Sequence, residues 1–240
     1  MKILLASASW TAPPLPTETV FDPRNGNSLP GSGAIDDHLR RTSFGHEVTN
    51  ITCPSRSNYF VINHLKLTLL HETFDKIVFV QTEPLRDSVY TSIYLIGWRE
   101  LTIKWFDDHL HLLSIQRDIL DETYKTLNDI GIPIYLVGGC SKVDTELLSK
   151  YSNLTCIMPS IPEFLSPGYT HPTIFGFSQW QKRIDDKWDL DTIDYILDQI
   201  KSTEWLHANC PHFFDDIFHP DSEGYRKVAE HIENYFLARL

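Results

Sequence analysis

Lys76-Ile-Val-Phe-Val-Gln-Thr82 is the stretch on which the fold turns. Ile77 to Val80 is an unbroken apolar run of strand-forming residues, bounded by Lys76 and by Gln81-Thr82. A strand with one wet face alternates apolar and polar residues, whereas an unbroken run of this length belongs in a parallel sheet covered on both faces. Working outward, Ile3 to Ala6 is a second such run, and Glu47–Cys53, Ile134–Gly138 and Leu154–Met158 complete five candidate strands. Helical patterns lie between them. One covers Ala34–Arg41, and another starts at a cap, Ser57 or Asn58, and runs to about Glu72. A longer one carries Phe106, Leu110, Leu113, Leu120, Tyr124 and Leu127 on a single stripe. Gly131-Ile-Pro133 ends that helix, and Ser141–Tyr151 reads as a short helix before the fifth strand. Strands alternating with helices predict a three-layer α/β/α sandwich around a five-stranded parallel sheet, with right-handed crossovers and residues 1–240 as one domain.

Three segments break the alternation. Residues 11–33 are rich in Pro, Gly, Thr and Asn, the composition of a long surface loop. Residues 83–104 form an insertion containing Tyr90, Tyr94 and Trp98. Residues 159–189, with several prolines and aromatics and His171, read as an irregular excursion, either one wall of a cleft or a packed surface loop. Two helices, 190–201 and 203–208, are expected to follow.

The chemistry-bearing stretch is Asp216-Ile-Phe-His-Pro-Asp-Ser-Glu-Gly-Tyr225. A carboxylate stands three residues before a histidine whose conformation Pro220 restricts. Asp221 or Ser222 can cap a following helix, whose Val228, Ile232 and Phe236 repeat every four residues. A histidine with one ring nitrogen held by a carboxylate is fixed in one tautomer and can act as a general base. The plainer alternative is a helix-capping histidine. His207, Cys210, His212, Asp216 and His219 are also all zinc-ligand types, but their spacing matches no zinc pattern and Pro211 interrupts helical presentation. At the other end, Ser9 follows the first strand, at the carboxyl edge where open α/β sheets bind ligands.

With both ends considered, the chain resembles the SGNH (GDSL) hydrolase family, whose fold is a flavodoxin-like α/β/α sandwich. In that family a nucleophilic Ser follows the first strand in Gly-Asp-Ser, and a C-terminal Asp-x-x-His, usually followed by Pro and then Gly, supplies the other two triad members. Asp216, His219, Pro220 and Gly224 match the second motif, and Ser9, in Ser7-Ala8-Ser9, matches the nucleophile without its two preceding residues. The resemblance implies a triad of Ser9, His219 and Asp216. Ser55 takes the place of the family's oxyanion-hole Gly, and Glu83 that of its oxyanion-hole Asn. An ionised carboxylate cannot donate a hydrogen bond, so Asn58, Thr82 or Arg86 would have to supply the missing donor. Arg86 can equally anchor a substrate oxygen or pair with Glu83 or Asp87. The implied activity is hydrolysis of a small-molecule or carbohydrate ester, an acetyl ester among them, with neither cofactor nor metal. The three departures at Ala8, Ser55 and Glu83 leave open a catalytically inactive binding protein of the same fold.

Bulk properties narrow the partners. A net charge of −11 over 240 residues, with no basic run, argues against nucleic acid. The apolar run Ile3–Ala6 is shorter than the roughly 7–15 residues of a secretory h-region, and no run approaches the ~20 residues of a membrane span. The expectation is a soluble cytoplasmic protein, and the oligomeric state is not readable. Cysteines 53, 140, 156 and 210 are too few and too dispersed for a disulfide framework and read as reduced. Asn50-Ile-Thr52 and Asn153-Leu-Thr155 match the glycosylation pattern but fall in or beside strands, which makes them coincidental.

Overall fold

The computed structural model describes residues 1–7, 34–42, 44–52, 57–82, 109–139, 141–169, 205–206, 208–210, 212 and 220–239. Their elements run β1 (Lys2–Ser7), α1 (Ile35–Arg41), β2 (Glu47–Thr52), α2 (Asn58–Leu69), β3 (Lys76–Gln81), α3 (His109–Asn128), β4 (Ile134–Gly138), α4 (Thr145–Leu148), β5 (Leu154–Met158), α5 (Ile161–Leu165) and α6 (Ser222–Leu237). All strand pairs are parallel, in the order β2-β1-β3-β4-β5. The expected five-stranded flavodoxin-like sheet is the sheet found.

The continuous apolar runs are explained by burial on both faces. Ile3, Leu4, Leu5 and Ala6 of β1 are fully buried, as are Val78 and Val80 of β3. Alternate residues enter different cores. Ile3, Leu5, Val48, Val78, Val80 and Val137 meet α1, α5 and α6 on one face. Leu4, Ala6, Ile51, Ile77, Phe79 and Leu136 meet α2, α3 and α4 on the other. The step from β1 to β2 runs opposite in direction to the later crossovers, so a constant crossover hand places α1 on one face and α2 to α4 on the other. Truncating one of these buried leucines to alanine typically costs about 2–5 kcal/mol.

The helices follow from local chemistry. Ser57 caps α2, its side chain accepting from Phe60 N–H at 3.3 Å. Asp221 caps α6 by accepting from Gly224 N–H at 2.7 Å. Val228, Ile232 and Phe236, with Tyr225 and Ala229, are the buried stripe of α6. Gly131, at φ +79°, stops the chain after α3 in a left-handed conformation that favours glycine.

Two expectations need correction. The helix expected over Ser141–Tyr151 shrinks to Thr145–Leu148, capped by Asp144. Residues 141–144 are instead bound from outside, since Gln81 Nε2 donates to Ser141 Oγ and to the Lys142 carbonyl, and Tyr124 Oη accepts from Asp144 N–H. The excursion from residue 159 begins as a helix, α5, with Ser160 accepting from Glu163 N–H and Pro162 in its first turn. Residues 170–200 lie outside the described residues. Helical residues at 205–206 and 208–209 agree with the expected 203–208 element.

At the amino-terminal edge of the sheet, His46 Nε2 and Glu233 Oε1 are 2.8 Å apart in a buried pair that ties β2 to α6. Cys156 and Cys210 are free thiols, and burial pushes the Cys156 thiol up. Asn50 is buried within β2, and Asn153 makes two hydrogen bonds to Asn128, one from its backbone N–H and one from its side chain. Among the described residues no helix is long and apolar enough to cross a membrane.

Candidate active site

β1 and β3 are neighbours, and the chain leaves their carboxyl ends toward opposite sides of the sheet. Such a switch point opens the crevice in which parallel α/β sheets bind ligands. Ser7 closes β1 there, fully buried and paired with Thr52 on one side and Val80 on the other. Ser9 follows two residues later and lies outside the described residues, as do Ser55, Glu83, Arg86, Asp216 and His219. Asn58 and Thr82 are the two sequence-predicted site residues that are described, and they touch each other.

The Asn58 carboxamide clasps the Thr82 peptide. Its Oδ1 accepts from Thr82 N–H at 2.9 Å, and its Nδ2 donates to the Thr82 carbonyl at 3.1 Å. Both residues are buried. Asn58 opens α2 and Thr82 is the first residue past β3, so the bond joins the start of a helix to the end of the central strand.

Beneath Thr82, Gln81 organises a buried polar cluster that sequence reading did not single out. Tyr124 Oη donates to Gln81 Oε1 at 2.8 Å and accepts from Asp144 N–H at 3.1 Å. Gln81 Nε2 donates to Ser141 Oγ at 3.0 Å. Burial holds the Tyr124 phenol far above its usual range. A glutamine ending an apolar strand run was the available signal, because an amide buried there must find partners.

The described residues that flank the Asp-x-x-His segment are bonded to one another. Tyr235 and Phe236 of α6 pack on Tyr135 near the start of β4, so α6 runs antiparallel to the strands and its first turn stands at their carboxyl edge. There the His212 carbonyl accepts from Asp221 N–H at 2.9 Å, which closes the segment 213–220 at its base. A Cβ on Gly224 would lie 2.8 Å from Pro220 Cβ and 3.1 Å from the His212 carbonyl oxygen. Glycine is therefore what lets Pro220 pack against the helix, a physical reason for its place in the motif. Lys227 Nζ lies 2.7 Å from His212 Nε2. Cys210 is buried, with its sulfur 3.7 Å from the Leu165 carbonyl. Two of the five residues weighed as zinc ligands thus have other partners, and no cluster of three or more such side chains exists among the described residues.

The chain is similar in structure to the lipase/acylhydrolase from Enterococcus faecalis, with a TM-score of 0.52 and 14% identity over 100% of this chain and 96% of that one. At that identity the likeness establishes a common fold, the fold that resemblance to SGNH hydrolases implied. No protein-family model and no curated protein sequence matches the chain.

Proposed function

We propose that this protein is a serine hydrolase of esters, with Ser9 as nucleophile, His219 as general base and then acid, and Asp216 as the group that orients His219. The observation that carries this reading is the convergence of four segment ends at one carboxyl edge. β1 ends two residues before Ser9, Pro220 follows His219 at the start of α6, Thr82 precedes Glu83, and Asn58 follows the segment containing Ser55. They converge in a fold shared with a lipase/acylhydrolase.

In this mechanism Ser9 Oγ attacks the acyl carbonyl as His219 takes its proton, and the tetrahedral oxyanion is met by the backbone N–H groups of Ser9 and Ser55. His219 returns the proton to the departing alcohol, leaving an acyl-serine. Water activated by the same imidazole then releases the acid. Glu83 cannot serve as a neutral amide would, so a third donor falls to Asn58, Thr82 or Arg86. Small acyl groups, including acetyl groups on carbohydrates, are the substrates to try first. This chemistry requires no cofactor or metal.

Saturable hydrolysis of an aryl acetate above the buffer rate, followed by release of acetate from acetylated sugars, is the expected result. No turnover of aryl esters of any acyl length would count against the reading and favour a binding protein on the same fold.

A further inference from the structure

Resting on the hydrolase reading, we propose that Asn58 is a positioning residue whose carboxamide sets the spacing between the segment containing Ser55 and the segment containing Arg86. Pairing of β3 with β1 ends at Val80, opposite Ser7, and pairing with β4 ends at Gln81, opposite Gly138. One residue further, Thr82 is buried, and Asn58 supplies both halves of a ladder rung to it, an acceptor at 2.9 Å and a donor at 3.1 Å. A side-chain amide thus extends the sheet by one residue.

The chemistry of that rung is specific. Only a carboxamide offers one acceptor and one donor in a plane that matches a peptide edge. Aspartate would present acceptors alone and turn one of them against the Thr82 carbonyl. The rung is also placed to matter for catalysis. Asn58 follows the Ser57 cap, so its backbone is fixed to the first turn of α2, directly after the segment containing Ser55. Thr82 directly precedes Glu83 and the segment containing Arg86. The Asn58–Thr82 pair therefore joins the stretch that carries the Ser55 donor to the stretch that carries Arg86, a candidate for the third. With one Nδ2 hydrogen and Oδ1 both on Thr82, the strand end orients the amide.

The test is steady-state hydrolysis of an aryl acetate by wild type, Asn58→Asp, Asn58→Ser and Val61→Ala, each assayed well below its own melting temperature. Val61, buried in the same helix, provides a loss of packing without touching the rung. A joint displaced by ~1 Å is expected to lower kcat by about 10²-fold in Asn58→Asp while KM stays within about threefold. Asn58→Ser, whose hydroxyl can replace at most one of the two bonds, should fall between that variant and wild type, and it stands in should the aspartate variant not fold. Val61→Ala should keep the wild-type kcat. Asn58 variants that lose no more kcat than Val61→Ala would overturn the positioning role while leaving the hydrolase intact. Wild-type protein without turnover would overturn the hydrolase reading, and this proposal with it.

Discussion

Alanine at Ser9 or at His219 is expected to reduce aryl-ester turnover by roughly 10⁴-fold or more, with little change in thermal stability. The size of the effect follows from the roles. Without the serine there is no covalent intermediate, and without the imidazole there is no acceptor for the hydroxyl proton, whose own acidity is far too weak at neutral pH. The two losses should not add, because each disables the same step. The check is kcat/KM for both single variants and the double variant beside a thermal melt of each. Turnover equal to wild type in either variant removes that residue from the mechanism.

A second large effect, on stability, is expected from Gly138→Ala. A Cβ there would fall 2.0 Å from the Pro159 carbonyl oxygen and 2.8 Å from that of Ser141. Both are main-chain atoms, and the Pro159 carbonyl already accepts Val143 N–H at 2.9 Å, so it cannot withdraw without breaking a bond. The ladder between β4 and β5 shifts register just before this point, between Leu136 and Val137. Overpacking of ordinary cores costs about 1–3 kcal/mol, and a clash with fixed backbone belongs at or beyond the top of that range. For a chain of this size, 3 kcal/mol corresponds to a fall of roughly 10 °C in melting temperature. A variant melting within about two degrees of wild type would show that the two strand ends are not packed this tightly.

Gly138 also illustrates where the sequence is legible and where it is not. The strands could be read because double burial writes itself into consecutive residues, as at Ile77–Val80 and Ile3–Ala6. Helix starts could be read because a cap is local chemistry: Ser57 and Asp221 each bond to an N–H three residues on. Gly138, by contrast, reads as an ordinary strand end until Pro159, 21 residues later, is brought against it. The same holds for the Asn58–Thr82 rung and for the Gln81–Tyr124 bond, whose partners are 24 and 43 residues apart. The residue types announce that donors and acceptors exist, but pairing is decided by the order β2-β1-β3, which no local pattern encodes. The expected helix over Ser141–Tyr151 fell short for this reason, since long-range bonds from Gln81 and Tyr124 hold residues 141–144 before α4. Beside the site, the bond from Asp221 N–H to the His212 carbonyl and the close approach of Gly224 to Pro220 likewise became visible only once the chain was folded.

The central claim is that Ser9 is an activated nucleophile, and the most direct test needs no knowledge of the substrate. Intact protein is treated with a fluorophosphonate, weighed, digested and mapped, with His219→Ala carried in parallel. The account predicts one adduct per chain, located on Ser9 and absent from the His219 variant. No adduct under conditions that label a control serine hydrolase, or an adduct on Ser9 that persists without His219, would contradict it.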